Sequence, residues 1–370
     1  YVYDALGPDG TNFSPGNLLL ETTGTFTTSG WASVAVDSIL IQPGQEFFIA
    51  VMRNDAYAVS FDRVTTAAER SYFSGDGTSY SDISYTSSGL PRNVNIRAKI
   101  SNNTTTTENL TYVPDDNFEQ ALIDLGYDDV IDDYVATDSI SGVTSLTISN
   151  YQNEESFISD LTGIQDFTAL TYLHCSYNSL TALDLSSNTA LTELRCFSNE
   201  LTALDVSANT ALVELHCGKN ELTSLDVSNN TALTSLGAQR NSFTSLDVSN
   251  NTALEYLDCH TNAINSLNVS NNTALTTLWC YNNQLTTLDV SSNTALTTLH
   301  CHYNQLTSLD LSGNTGLTDL RCGNNQLASL DLSSNPDLLI LIISSNQISS
   351  LDLSNNSALQ NLYCGSNQLT

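Results

Sequence analysis

Side chains suited to molecular recognition recur at a fixed spacing of 21 residues in the C-terminal half of this 370-residue chain. Alternate residues of a β-strand point to the same side, so this spacing predicts that these side chains share one face of successive strands. Aromatic and arginine side chains contribute much of the energy of binding interfaces. We therefore predict that this face binds a partner through a set of residues that we name the aromatic patch. The patch comprises Tyr256, Asp258, His260, Trp279, Tyr281, His300, His302, Tyr303 and Arg321.

The middle column of this outward face varies, whereas the other positions of the repeat barely change. It reads His174, Arg195, His216, Gly237, Asp258, Trp279, His300, Arg321, Ile342 and Tyr363. An exposed face that drifts freely is the alternative to a binding surface. Drift alone does not account for so many Trp, Tyr and His side chains, so we favour recognition. His300 and His302 are able to chelate a metal from one strand, but the sequence offers no evident third ligand and we predict no metal there.

Catalytic motifs are missing from the sequence. It contains no nucleophile elbow, phosphate-binding loop or metalloprotease helix, and a regular repeat leaves no room for a deep pocket. We predict that the protein is not an enzyme and needs no cofactor.

Its formal net charge of −30, from 10 basic and 40 acidic residues, argues against binding to nucleic acid or anionic membranes. No apolar run reaches the roughly 18 residues of a membrane span, so we predict no membrane insertion.

A period of 21 residues from Leu170 onward predicts a solenoid of ten rungs. One column of the repeat is asparagine in every rung. This column is Asn178, Asn199, Asn220, Asn241, Asn262, Asn283, Asn304, Asn325, Asn346 and Asn367. A buried amide at each bend can satisfy backbone groups that leave the sheet, so we predict a structural asparagine ladder.

The pattern Leu-x-x-Leu-x-Cys-x-x-Asn resembles the leucine-rich repeat. More specifically, it resembles the cysteine-ladder, internalin-like repeats of bacterial surface proteins, including those secreted by Bacteroidetes. The resemblance implies a curved parallel sheet that binds a partner on its concave side. It also implies that a predicted helix at 117–125 is an N-terminal cap and that 158–167 is an irregular entry coil.

Eight cysteines stand in one inward column, whose two remaining positions are Ala238 and Ile343. They are Cys175, Cys196, Cys217, Cys259, Cys280, Cys301, Cys322 and Cys364. A column that accepts Cys, Ala and Ile is apolar, and parallel side chains on strands about 4.8 Å apart do not turn toward each other. We predict free buried thiols rather than disulfides or zinc ligands.

A second column is acidic in every rung except one, where Asn268 replaces Asp. Its members are Asp184, Asp205, Asp226, Asp247, Asn268, Asp289, Asp310, Asp331 and Asp352, each with a serine two residues later. Stacked carboxylates repel one another, so bound cations or local hydrogen bonds must offset the ladder. We favour hydrogen bonds from the turn that contains the serine.

The fold class that we predict is mainly β, with an N-terminal antiparallel β-sandwich followed by a leucine-rich-repeat solenoid with a parallel sheet. Strand-like runs at 17–21, 32–36, 46–51 and 94–98 alternate with turn residues. The predicted domains are a partial β-sandwich (1–100), a linker (101–112), a cap with an irregular first coil (113–169), and ten repeats (170–370). The first residues, Tyr1-Val2-Tyr3, are already strand-like, so we expect the chain to begin partway through a domain. We also expect it to continue beyond Thr370, because a solenoid needs a polar capping unit at that end.

The segment from Asp115 to Asp138 carries nine acidic residues and no basic one. Asp128 and Asp129 together with Asp132 and Asp133 are able to hold a calcium ion. The spacing of an EF-hand is absent, so we favour a solvated acidic face.

These features together predict an extracellular or cell-surface protein that binds a protein or glycan partner. The alternatives are a structural subunit that assembles into a surface layer or filament, and an accessory region of a larger secreted enzyme. A threonine column (Thr181, Thr202, Thr223 and Thr244) also permits ice binding, although Asn265 and Ala328 interrupt it.

Overall fold

The protein divides into two compact units, residues 1–106 and 107–370. A computed structural model describes residues 109–150 and 156–370, and the backbone of six short strands among residues 1–108. These six strands form one antiparallel sheet in the order β2-β1-β3-β4-β5-β6. They are β1 (Val2–Tyr3), β2 (Leu18–Leu20), β3 (Phe47–Met52), β4 (Ala58–Val64), β5 (Arg70–Phe73) and β6 (Ser81–Asp82).

Two of the four predicted strand-like runs, 17–21 and 46–51, coincide with β2 and β3. The runs at 32–36 and 94–98 lie outside the described residues. A sandwich needs a second sheet packed on the first, and the described residues of this unit form one sheet. The antiparallel sheet is therefore established, while the β-sandwich stays a prediction.

The second unit begins with a small cap. Strand β7 (Leu110–Tyr112) pairs antiparallel with β8 (Tyr134–Ala136), and helix α2 (Thr137–Ile140) follows directly. Residues 110–112 fall in the segment that we predicted as linker. They form a strand because Thr111 and the adjacent Val113 are buried in the apolar core of the cap.

The predicted cap helix is α1, Asp116–Asp124. Asp115 caps it, since its Oδ1 accepts the backbone N–H groups of Asn117 and Phe118 at 3.0 Å each. Phe118 and Leu122 are buried, and Gly126, with φ of 81°, follows the end of the helix. The helix predicted at 117–125 is therefore confirmed, with its bounds one residue earlier.

The repeats build one parallel sheet of eleven strands in chain order from β9 to β19. From β10 onward each residue pairs with the one 21 positions later, whereas the residues of β9 pair with those 27 positions later in β10. A 3₁₀ turn (Ile164–Asp166) lies between β9 and β10. The strands are β9 (Ser145–Thr147), β10 (Tyr172–His174), β11 (Glu193–Arg195), β12 (Glu214–His216), β13 (Ser235–Gly237), β14 (Tyr256–Asp258), β15 (Thr277–Trp279), β16 (Thr298–His300), β17 (Asp319–Arg321), β18 (Ile340–Ile342) and β19 (Asn361–Tyr363). Strands β10 to β19 correspond to the ten predicted rungs.

The asparagine ladder satisfies backbone groups where each coil bends. In the rung of Asn304, the amide nitrogen donates to the carbonyl oxygens of Cys280 and Cys301 at 3.0 and 3.1 Å. Its Oδ1 accepts the N–H of Leu285 at 3.0 Å. One side chain thus connects two rungs, which confirms the structural role predicted from the sequence.

A second asparagine column has a similar role that the sequence analysis did not identify. Asn209 is fully buried, and its amide donates to the carbonyl oxygens of Leu185 and Asn188 in the preceding rung, at 3.1 and 2.9 Å. The residues of this column are Asn188, Asn209, Asn230, Asn251, Asn272, Asn293, Asn314, Asn335 and Asn356. Their invariance within the repeat was the signal that pointed to this role.

The acidic column is held by its own turns. In each rung Oδ1 of the Asp accepts the backbone N–H of the serine two residues later, as for Asp226 and Ser228 at 2.9 Å. Asn268 makes the same bond to Ser270 at 3.0 Å, so a neutral acceptor is sufficient there. Hydrogen bonding to Ser228 lowers the pKa of Asp226, which keeps it ionised. These bonds confirm the structural interpretation of the column.

All eight cysteines are free thiols, as predicted, and seven of them are fully buried. Burial raises the pKa of Cys301 to about 12, so this thiol stays protonated and unreactive in the fold. Cys364 is half-buried, which corrects the expectation that the whole column lies in the core.

Candidate functional site

The aromatic patch lies on the outer face of the parallel sheet, on strands β14 to β17 and the residues that follow them. Parallel pairing sets Asp258 beside Trp279, Trp279 beside His300, and His300 beside Arg321. The residue at the centre of each strand, such as Leu278, points into the core instead. The alternation expected of a strand therefore brings the predicted residues together.

The rings of the patch form two stacks that run across the strands. In the first, Trp279 stacks on His300 with ring centroids 5.5 Å apart and planes 3° apart, and Tyr256 packs edge-on against Trp279 at 5.6 Å. In the second, Tyr281 lies between His260 and His302, at 4.2 and 4.4 Å, with both imidazole planes within 10° of its own. The spacing of strands in the sheet makes this face-to-face contact possible.

The two stacks are joined into one layer. His300 packs edge-on against His302 with centroids 6.2 Å apart, and Tyr303 packs against His302 at 5.5 Å. Tyr303 is 56% exposed and forms the open end of this layer. All the aromatic and histidine side chains of the patch therefore take part in one continuous set of ring contacts.

Burial within the patch corrects one expectation from the sequence. We predicted that outward side chains would be exposed, yet Asp258, His260 and His300 are only 3%, 7% and 8% exposed. Trp279 is half-buried. Large side chains on adjacent strands cover one another, so pointing away from the core does not by itself give exposure.

Asp258 is held within the patch by two of its neighbours. Its Oδ1 lies 2.6 Å from Nδ1 of His260 and accepts the backbone N–H of His260 at 3.2 Å. The hydroxyl of Tyr256 donates to Oδ2 of Asp258 at 3.4 Å. These contacts fix the orientation of the carboxylate and of the His260 ring.

Asp319 is a further member of the site that the sequence analysis did not select. It accepts two hydrogen bonds from Arg321, from Nε and from Nη2, at 3.0 Å each, and its Oδ2 lies 3.2 Å from Nε2 of His300. Burial alone would raise the pKa of Asp319, but the hydrogen bonds from Arg321 and the proximity of His300 lower it below its ordinary value. The signal was the spacing, because an Asp two residues before an Arg on one strand faces the same side.

Two histidines of the patch, His300 and His302, are neutral near pH 7. Burial lowers the pKa of His302 to about 4, with further lowering from His300 and Arg321. Burial likewise lowers the pKa of His300, although Asp319 opposes the shift. The surface thus presents neutral imidazoles together with the charged pair of Asp319 and Arg321.

Three donor or acceptor atoms of the patch are buried without a hydrogen-bond partner among the described residues. They are Nε1 of Trp279, Nδ1 of His302 and Nε2 of His300, the last of which lies near Oδ2 of Asp319 but forms no hydrogen bond with it. The indole N–H is a donor only, so a hydrogen-bond acceptor on a bound partner is what would satisfy it. His300 and His302 gain no third metal-binding side chain in the described part of the chain.

A smaller charged cluster occupies the first rungs on the same face. Arg195 pairs with Glu193 on its own strand and, through Nη2, with Glu214 on the next strand at 3.5 Å. His216 lies 3.7 Å from Glu214. Gly237 separates this cluster from the aromatic patch, and a Cβ at Gly237 would lie 2.7 Å from Nδ1 of His216.

The sequence matches the family of leucine-rich repeats at residues 273–313 and 294–335. Internalin J of Listeria monocytogenes is 44% identical over 77 residues, which are 21% of this chain and 8% of that protein. The solved functional domain of InlJ, which includes a cysteine ladder, is 36% identical with a TM-score of 0.59 and is covered to 63%, against 71% of this chain. The chain thus spans less than two thirds of the length of either relative.

Two further solved structures bear on the fold. The internalin InlF of Listeria monocytogenes is 26% identical with a TM-score of 0.65, and the match covers 70% of this chain and 78% of that one. A leucine-rich-repeat protein of Leptospira interrogans is 25% identical with a TM-score of 0.57, over 63% of each chain.

None of the helices in the described residues has the length and apolar character needed to cross a bilayer.

Proposed function

Because this chain carries a leucine-rich-repeat array of the cysteine-ladder, internalin-like type, we propose that it is a recognition protein whose aromatic patch binds a protein partner. The observation that carries the proposal is the layer of stacked rings on β14 to β17. Packing of the core does not require large rings at these outward positions. Gly237, Gly323 and Ser344 occupy outward positions of neighbouring rungs.

The geometry of the rings favours a protein over a glycan. A sugar packs its C–H groups flat against an open aromatic face, but imidazoles cover both faces of Tyr281. His300 covers one face of Trp279, and Tyr256 packs against the same indole. The rings offer mainly their edges, and the indole N–H suits an acceptor such as a peptide carbonyl or a carboxylate.

We propose an extracellular or cell-surface location, in keeping with the relatives to which the array is similar. Under this proposal the N-terminal unit is a β-sandwich that accompanies the array, and the protein has no catalytic role. The net charge of −30 supports a partner other than nucleic acid. The rival function is a structural subunit, and light scattering over a range of concentrations separates the two, because only a subunit of an assembly polymerises.

The test compares the immobilised full chain with a variant that carries Trp279→Ala and Tyr281→Ala. Both are exposed to cell-surface extracts, with and without proteinase digestion of the extract, and to a glycan array. We expect the wild type to capture a partner that proteinase digestion removes, and the variant to lose it. If the wild type binds the glycan array and the variant does not, the partner is a glycan and not a protein.

A matched control replaces two exposed side chains in the same rung that lie outside the aromatic patch. Gln284 and Thr286 are exposed and lie beyond the strand, so Gln284→Ala with Thr286→Ala should leave capture unchanged. If capture survives loss of the two aromatic side chains, or fails equally in the control, the patch is not the binding surface.

A further inference from the structure

A cluster of acidic side chains lies in the cap, away from the aromatic patch. One carboxylate oxygen from each of Asp116, Glu119 and Asp133 lies within 4.8 Å of the others. The sequence indicated a different set in this segment, Asp128, Asp129, Asp132 and Asp133, of which only Asp133 belongs to the cluster. The cluster therefore comes from the fold of the cap and not from local spacing alone.

Two elements bring the three carboxylates together. Asp116 and Glu119 stand three residues apart in the first turns of α1 and so share one face of the helix. Asp133 directly precedes β8 and has a φ of 67°. The cluster thus connects the start of the cap helix to the start of the strand that pairs with β7.

The state of Glu119 is an independent observation that points to a ligand. This side chain is fully buried, and its Oε1 accepts the backbone N–H groups of Asp132 and Tyr134 at 2.8 and 3.2 Å. Its Oε2 is also buried and has no hydrogen-bond partner among the described residues. Burial of a carboxylate oxygen without a hydrogen-bond partner costs free energy unless a proton or a cation binds to it.

Nothing else in the cap neutralises these carboxylates. Residues 109–150 contain no Lys, Arg or His. Glu119 is fully buried, and the negative charge of Asp128 lies nearby. A bound cation would place positive charge beside these carboxylates and so offset both the cost of burying Glu119 and the repulsion from Asp128.

We propose that Asp116, Glu119 and Asp133 bind a divalent cation, and that this cation is calcium. All three donors are carboxylate oxygens, which hard cations prefer, and the cluster contains no nitrogen or sulfur ligand that would select zinc or copper. Calcium accepts irregular oxygen geometry with water in the remaining positions, whereas magnesium demands a near-ideal octahedron. The ion links α1 to β8 and so stabilises the end of the solenoid on which the repeats stack.

The test is calorimetric titration of the full chain with CaCl₂ after treatment with EDTA and buffer exchange. We expect a site with a Kd of about 10⁻⁴–10⁻³ M, the range of extracellular calcium modules, and a melting temperature that rises with calcium. Asp133→Asn should weaken this site by at least about tenfold, because even loss of a group that merely orients a ligand costs about 10–100-fold. The rise in melting temperature should shrink in parallel.

Asp116→Asn provides a second test, because Asp116 is exposed and its loss should leave the fold of the cap intact. The matched control is Asp129→Asn, which removes an exposed carboxylate outside the cluster and should bind calcium as the wild type does. The proposal is overturned if the wild type binds no calcium, or if Asp116→Asn and Asp133→Asn both bind as many ions as the wild type with equal affinity. Tighter binding of MgCl₂ than of CaCl₂ at the same residues would overturn the assignment to calcium.

Discussion

Trp279 and His300 lie side by side on adjacent strands of the parallel sheet and stack almost in parallel, with their planes 3° apart. Both side chains point away from the core. Because each ring covers a face of the other, they nevertheless lose much of their contact with solvent. The outer face of β14 to β17 is therefore a packed layer in its own right. Substitutions there should affect binding strongly and stability only moderately.

Leu278 and Trp279 are neighbours in sequence that lie on opposite faces of β15. Leu278 is fully buried, so Leu278→Ala should lower the free energy of unfolding by about 2–5 kcal/mol. Trp279→Ala removes ring contacts on the outer face and should cost about 1 kcal/mol. Denaturant unfolding of both variants provides the comparison, and equal losses of stability would show that the two faces have been assigned wrongly.

The neutral state of His302 predicts a loss of stability in mild acid. Its pKa is about 4 in the fold against an ordinary value of 6.5, so protons bind more readily to the unfolded chain. The contribution of neutral His302 to the free energy of unfolding is complete above pH 6.5. This contribution, at most about 3 kcal/mol, is lost as the pH falls toward 4. His302→Phe retains a ring beside Tyr281 but cannot titrate. Unfolding free energies measured between pH 7 and 4.5 should therefore fall less steeply in this variant, and identical slopes would refute the prediction.

Replacing a single asparagine of the ladder should lower the free energy of unfolding markedly. Asn304→Ala leaves two carbonyl groups and one N–H group at the bend without their partner, at about 1–3 kcal/mol for each group that stays buried. We expect the free energy of unfolding to fall by at least about 2 kcal/mol. Gln305→Ala, at the adjacent exposed position, should leave it nearly unchanged. A similar melting temperature for the two variants would mean that the ladder is dispensable.

The thiols should differ in reactivity according to their burial. Seven cysteines are buried in the core, whereas Cys364 is half-buried. Alkylation of the native protein should modify Cys364 first, and the other seven should react only after unfolding. Mass spectrometry of tryptic peptides measures each site separately. Rapid native labelling of Cys280, or a disulfide between neighbouring rungs, would contradict the structure.

The period of 21 residues was enough to predict the parallel sheet, the inward cysteines and the outward patch, because each of these depends on strand alternation and register. The contacts within the patch were not predictable in the same way. The burial of Asp258 and His300 depends on which large side chains stand on the adjacent rungs. The approach of Asp133 to Asp116 and Glu119 depends on how the cap chain returns to α1. Such contacts between distant residues leave no local period in the sequence.

The central claim is that the aromatic patch is a binding surface, and the affinity of the captured partner for Trp279→Ala tests it most directly. Once the capture experiment has provided a partner, its Kd is measured by titration against the wild type, Trp279→Ala and Gln284→Ala. We predict that Trp279→Ala weakens binding by about 2 kcal/mol or more, a loss of roughly 30-fold, while Gln284→Ala binds as the wild type does. Equal affinity of all three proteins, with Trp279→Ala properly folded, would contradict the claim.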